Sequence, residues 1–326
     1  MAEEWLVDGP RVIDVGNDRE RVEKVVVAII GGHVDIVTHD EGYGARVEVS
    51  GVDGLPLRVS WDGRTLKVMH GKDGESSFLD TLRRIVEQMS GQRADVSISV
   101  PASARASVST ASAPIVASGL RRGLTANTVS GEMTISDVQG RSTVNTVSGA
   151  TECADLAGEV KINSVSGAVT VQSSDIPRAR INTVSGEIAL DLLNGRLDVQ
   201  SNSVTGDVTI RAPFTGYAVT ATSATGQVIV DGQSLHSGGR SGMPPGGWGD
   251  GIPGSSGGKG ATLRGGDESL TLRANSVSGD VILLRATGSG SAAEPGAAAD
   301  PQDGPQDRRD DGPQDAPADN EGRDTL

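Results

Sequence analysis

The chain is 326 residues long, with a net charge of −14, 36% hydrophobic residues and only three Trp, two Tyr and two Phe. That composition is too lean for one thick core and suits a narrow interior lined by Val, Ile, Leu and Met. An acidic chain with so few rings offers neither a phosphate-neutralising face nor a base-stacking platform, so nucleic acid is not an expected partner, and anionic membrane surfaces are disfavoured for the same reason.

The first ten residues carry no basic segment and no apolar stretch, and no window approaches the roughly eighteen apolar residues of a membrane span. The expectation is a cytoplasmic protein with no direct membrane insertion, reaching the surface only by unconventional export. Residues 1–75 read as an N-terminal β region, with apolar alternation over residues 25–30, 34–38, 45–50, 57–61 and 65–69 between glycine clusters. Gly31-Gly32-His33-Val34-Asp35-Ile36 resembles a degenerate corner and strand, so the region is either a set of early coils or a small capping sheet.

Residues 76–92 are expected to form one amphipathic helix. Phe78, Leu79, Leu82, Ile85, Val86 and Met89 share a face, Ser77 is placed to cap the start, and Gly91 follows the end. The helix plugs a solenoid mouth on one reading. On the other it docks a partner through Leu82, flanked by Arg83 and Arg84.

Residues 93–286 carry the dominant pattern. The pentapeptide Asn-(Ser/Thr)-Val-(Ser/Thr)-Gly begins at Asn127, Asn145, Asn163, Asn182, Asn202 and Asn275, with spacings of eighteen, eighteen, nineteen and twenty among the first five. Apolar residues recur two and four positions after each motif glycine, as in Met133/Ile135, Val169/Val171 and Ile188/Leu190, which is the period of a strand. Each unit divides into two nearly equal nine-residue halves. The predicted fold is therefore all-β: a parallel β-solenoid, or β-helix, of about 18–20 residues per coil with two strands per coil.

Asn127, Gly131, Asn145, Gly149, Asn163, Gly167, Asn182, Gly186, Asn202, Gly206, Asn275 and Gly279 are assigned to the corners, where the chain needs positive φ and where stacked amides can hydrogen-bond in a ladder. The motif valines Val147, Val165 and Val184 are expected in one vertical row among the inward aliphatics. The alternative to a purely structural role is that exposed Ser/Thr columns form a flat binding face.

A glycine-rich loop interrupts the repeat at 232–268, and within it Trp248 is the exposed aromatic offered to a partner. After it, Leu270 to Leu284 restores one coil. Residues 287–326 hold ten acids against three arginines and are expected to be a disordered solvating tail.

Chemistry is sparse. Cys153 is the one cysteine and takes the same slot as Ile135, Val171 and Leu190, so it is expected to be a buried hydrophobe rather than a nucleophile. His33, His39, His70 and His236 are scattered, and no Cys/His spacing suggests a metal. The two half-coils invite comparison with calcium-binding nonapeptide rolls, but each half has one glycine and too few acids to supply six or more oxygens. Neither cofactor nor metal is expected. A pectin-cleaving type of β-helix would need clustered Asp, Arg or Lys, whereas Glu132, Arg141, Glu187 and Arg196 change from coil to coil.

The run from Asn127 to Ile210, with its Asn-Thr-Val-Ser-Gly-(Glu/Asp)-(Val/Ile/Met)-x-(Val/Ile/Leu) units, resembles a bacterial family of uncharacterised β-strand-repeat proteins labelled adhesins by prediction. The likeness extends from about Val25 to Leu284. It implies a β-solenoid and brings no catalytic residues with it. The functional expectation is a non-enzymatic scaffold or adhesin-like interaction module with an unknown protein or cell-envelope partner. The alternatives are a carbohydrate-active β-helix enzyme, a hydrolase or lyase, and a cytoplasmic regulatory partner protein acting through the helix around Leu82.

Overall fold

The computed structural model describes residues 3–40, 42–70, 91–235, 259–267 and 269–286. The expected helix over 76–92, apart from Gly91 and Gln92, lies outside these residues, as do Leu82, Trp248 and the acidic tail. Among the described residues all regular structure is β-strand.

Each central coil contributes one strand to each of two sheets. The strands Leu124–Thr128, Ser142–Thr146, Ala157–Ser166 and Leu197–Thr205 belong to the sheet that bears the asparagines. Met133–Ser136, Thr151–Ala154, Ile188–Leu192 and Val208–Ala212 belong to the opposite sheet. Val169–Ser185 serves both, pairing through its first residues in the opposite sheet and through Arg178 to Ser185 in the asparagine sheet. Pairing is parallel throughout this region, and motif residues meet their own kind: Asn127 opposes Asn145, Asn145 opposes Asn163, Asn163 opposes Asn182, and Asn182 opposes Asn202.

The core between the sheets is a stack of aliphatic rows. Ile135, Cys153, Val171, Leu190, Ile210 and Leu283 form one row, and Val144, Ile162 and Ile181 belong to a row facing it. A slim interior of this kind needs no large rings, which accounts for the scarcity of aromatics.

The motif valine departs from expectation. It does stack coil upon coil, but outward: Val147, Val165, Val184, Val204 and Val277 are 44–55% exposed. The inward residue is the preceding Ser or Thr, buried at Thr128, Thr146, Ser164, Thr183, Ser203 and Ser276. The reason is strand parity. Ile181 points in, so Asn182 points out, Thr183 in and Val184 out, and hydrophobicity cannot reverse that alternation within an intact strand. Several buried hydroxyls serve the corner instead, as where the Gly131 N–H donates to Thr128 Oγ1 at 3.0 Å.

The corners divide their labour differently from the expectation as well. The motif asparagines lie within the strands, as Asn163 does in Ala157–Ser166 and Asn182 in Val169–Ser185, while positive φ falls on motif glycines such as Gly167 at +121° and Gly186 at +129° and, at other turns, on Asp137, Asp155 and Ser173. A Cβ on Gly167 would collide with the carbonyl oxygen of Gly149 in the neighbouring coil, so glycine here serves close stacking as well as conformation.

Chain order and spatial order differ at both ends. Lys24–Ile29 lies between Thr65–His70 and Arg105–Thr110, and Gly31–His39 lies between Arg93–Pro101 and Ile115–Ser118, all parallel. Beyond them Glu3–Val7 and Leu57–Trp61, and Arg11–Val15 and Ala45–Asp53, close the stack with antiparallel pairs. At the other end the coil made of Leu270–Ser278 and Val281–Arg285 inserts between Leu197–Ala212 and Tyr217–Val230. The segment read as a glycine-rich loop, 232–268, begins and ends in strands: Gln233–Leu235 and Lys259–Gly265 pair antiparallel with the displaced outer coil. Both terminal edges thus end in antiparallel pairing rather than in an open parallel rung, a known device against edge-to-edge aggregation.

Candidate ligand-binding face

The outer surface of the asparagine sheet gathers the repeated residues into parallel columns. In the middle column the Asn145 amide donates to Asn127 Oδ1 at 2.7 Å, Asn163 to Asn145 at 2.6 Å, Asn182 to Asn163 at 2.8 Å, Asn202 to Asn182 at 2.9 Å and Asn275 to Asn202 at 2.9 Å. Asn127 continues the ladder to Ser109 Oγ at 3.1 Å. Every amide points the same way, so the bonds polarise one another. Each rung uses one donor and one acceptor of a side chain that has two of each, leaving one of each per coil for a ligand.

Two residues further along each strand stands the valine column. Between the two columns runs a groove of about 490 Å³ lined by Asn127, Asn145, Asn163, Asn182 and Asn202, the four valines from Val147 to Val204, and the intervening Ser and Thr. Its lining contains no titratable side chain. Two residues before each asparagine stand Thr125, Thr143, Lys161, Arg180, Gln200 and Arg273, aligned coil to coil. Beyond them is an alternating ion-pair row: Glu159 is bonded by Arg141 at 2.7 Å and by Arg178 at 3.0 Å, and Arg178 also reaches Asp198 at 3.7 Å. The Arg141 hydrogen bond is the main cause holding the Glu159 carboxyl below its ordinary value.

Trp248 and Leu82 lie outside the described residues. The asparagines assigned to corners converge on this face, and the glycines stack beside it and let the coils approach. Cys153 lies inside the solenoid, and burial pushes its thiol up to about 12. His70, inside the N-terminal region, is held below its ordinary value by burial. Among the described residues no group of three or more His, Cys, Asp or Glu is placed to hold a metal ion. The valine row was expected, but facing inward, and the cations Lys161, Arg180 and Arg273 were not singled out, although each stands two residues before a motif asparagine.

The Toastrack DUF4097 family model matches residues 26–237. No curated protein matches the sequence. Among solved structures, a protein from Clostridium sporogenes ATCC 15579 named as a putative cell adhesion protein aligns over 85% of this chain and 100% of its own, at 8% identity and a TM-score of 0.20, too remote to bear on fold or function.

Proposed function

The chain belongs to the Toastrack DUF4097 family, and from that premise and the columned face we propose that it is a non-enzymatic, adhesin-like interaction module that binds a linear polymer of the cell envelope laid along the stacked coils. The observation that carries this is the groove between the asparagine and valine columns. It offers the same pair of contacts, an amide and an isopropyl group, at every coil, about 4.8 Å apart. A surface that repeats by translation suits a ligand that repeats likewise, and many weak identical contacts then add along its length. Absence of titratable groups from the groove lining leaves no general acid or base within it to activate the lining Ser and Thr hydroxyls, which favours binding over turnover.

The test is sedimentation of the labelled full-length chain with cell-envelope fragments from the native organism. Wild-type protein should bind saturably, and Val165→Ser/Val184→Ser, which removes the isopropyl groups without changing charge, should bind at least tenfold more weakly while keeping its β circular dichroism. Equal binding by the two proteins removes the groove from the function.

A further inference from the structure

We infer that the polymer this face receives is an acidic polysaccharide, its carboxylates held by the cation column beside the asparagine ladder; the inference rests on the groove reading above and names the ligand class.

Charge distribution is the first support. The whole chain carries −14, yet the outward rows of the asparagine sheet from Thr65–His70 to Leu270–Ser278 hold eight cations (Lys67, Lys24, Arg105, Arg141, Lys161, Arg178, Arg180 and Arg273) against three acids, Glu159, Asp175 and Asp198. A basic face on an acidic protein concentrates an anionic ligand on that face and repels it elsewhere.

Pairing is the second. Glu159 and Asp198 are already engaged by Arg141 and Arg178. Lys161, Arg180 and Arg273 are exposed and have no ion pair among the described residues. They lie two residues from Asn163, Asn182 and Asn275, roughly 6.6 Å along the strand, on the same face. A chain lying over the amide ladder therefore has cations on one flank and valines on the other.

The third is the kind of contact on offer. The amides' spare donors and acceptors suit hydroxyl groups, the valines suit the C–H face of a sugar ring, and the Arg forks suit carboxylates bidentately. Single-stranded nucleic acid would ask for aromatic platforms, and none of these columns contains a ring. An acidic polypeptide would most readily add to a sheet edge, at the outermost strands Glu3–Val7 or Lys259–Gly265, rather than lie across these columns.

The experiment titrates full-length protein with polygalacturonate, its fully methyl-esterified form, poly-L-glutamate and duplex DNA. Polygalacturonate should bind, the ester should bind at least tenfold more weakly, and Lys161→Gln/Arg180→Gln/Arg273→Gln should lose at least tenfold towards the acid while keeping its melting temperature. The inference is overturned if polygalacturonate does not bind, if the ester binds as well as the acid, if the triple variant is unaffected, or if poly-L-glutamate or DNA is the preferred ligand. Envelope binding that still depends on Val165 and Val184 in the absence of polygalacturonate binding would sink the polysaccharide assignment alone. Loss of that dependence would sink the groove reading itself.

Discussion

Cys153 shows what the position of one residue dictates. Its slot in the coil lies between Ile135 and Val171 in the paired strands, and the side chain is 2% exposed. Burial in an aliphatic row penalises the thiolate, so the thiol is pushed up to about 12 from 9.0. The native thiol should therefore resist a disulfide reagent at pH 8 and react fully once the chain is unfolded, as absorbance at the released thiolate would record; rapid native labelling would contradict the burial. The linkage has a definite sign. The fold prefers the protonated form, so this contribution is fully present below pH 9.0 and is lost as pH rises towards about 12, because the unfolded chain ionises first.

At the scale of the strand, alternation outranks hydrophobicity. Ile181 and Val184 are both branched aliphatics in Val169–Ser185, yet one is 1% exposed and the other 48%. Threonine is close to valine in shape and adds a hydroxyl, so the two positions should answer differently. Ile181→Thr should cost about 2–4 kcal/mol in chemical denaturation, since it removes buried methylene and strands a polar group. Val184→Thr should stay within about 0.5 kcal/mol of wild type. Equal losses would mean that the valine column is not at the surface. The same parity turns the asparagines outward, where a ladder of five amide-to-amide bonds can form, and turns the Ser/Thr of the motif inward to the corner.

At the scale of the whole stack, the last described coil is not the last rung. Leu270–Ser278 and Tyr217–Ser223 fit the same register, since Leu272 opposes both Val199 and Val219. Placing Leu270–Ser278 inside brings Asn275 onto Asn202 and Gly279 beside Gly206, extending the amide ladder by one bond; Tyr217–Ser223 has Thr222 in the asparagine slot. The order can be read by cross-linking. Asp198 and Thr271 are neighbours, so Asp198→Cys/Thr271→Cys should oxidise to a disulfide, adjacent strands being about 4.8 Å apart. Asp198→Cys/Ala218→Cys should not, because Thr271 stands between them at twice that spacing. The reverse result, read by non-reducing electrophoresis, would restore chain order.

Repetition made much of this legible in advance. The motif at Asn127, Asn145 and Asn163 carries the coil length, the strand period and the amide stacking within itself, because each coil obeys the same local rules and contacts only its neighbours. Tertiary structure decided what local rules leave degenerate. Which side the valines take depends on the parity set by Ile162 and Ile181 in the core. Which coil lies next to Leu197–Ala212 depends on competition between two segments of compatible register, and the basic face assembles from Lys and Arg residues whose proximity exists only once the coils are stacked. Net charge is a sum over the chain, whereas binding responds to where the charges lie.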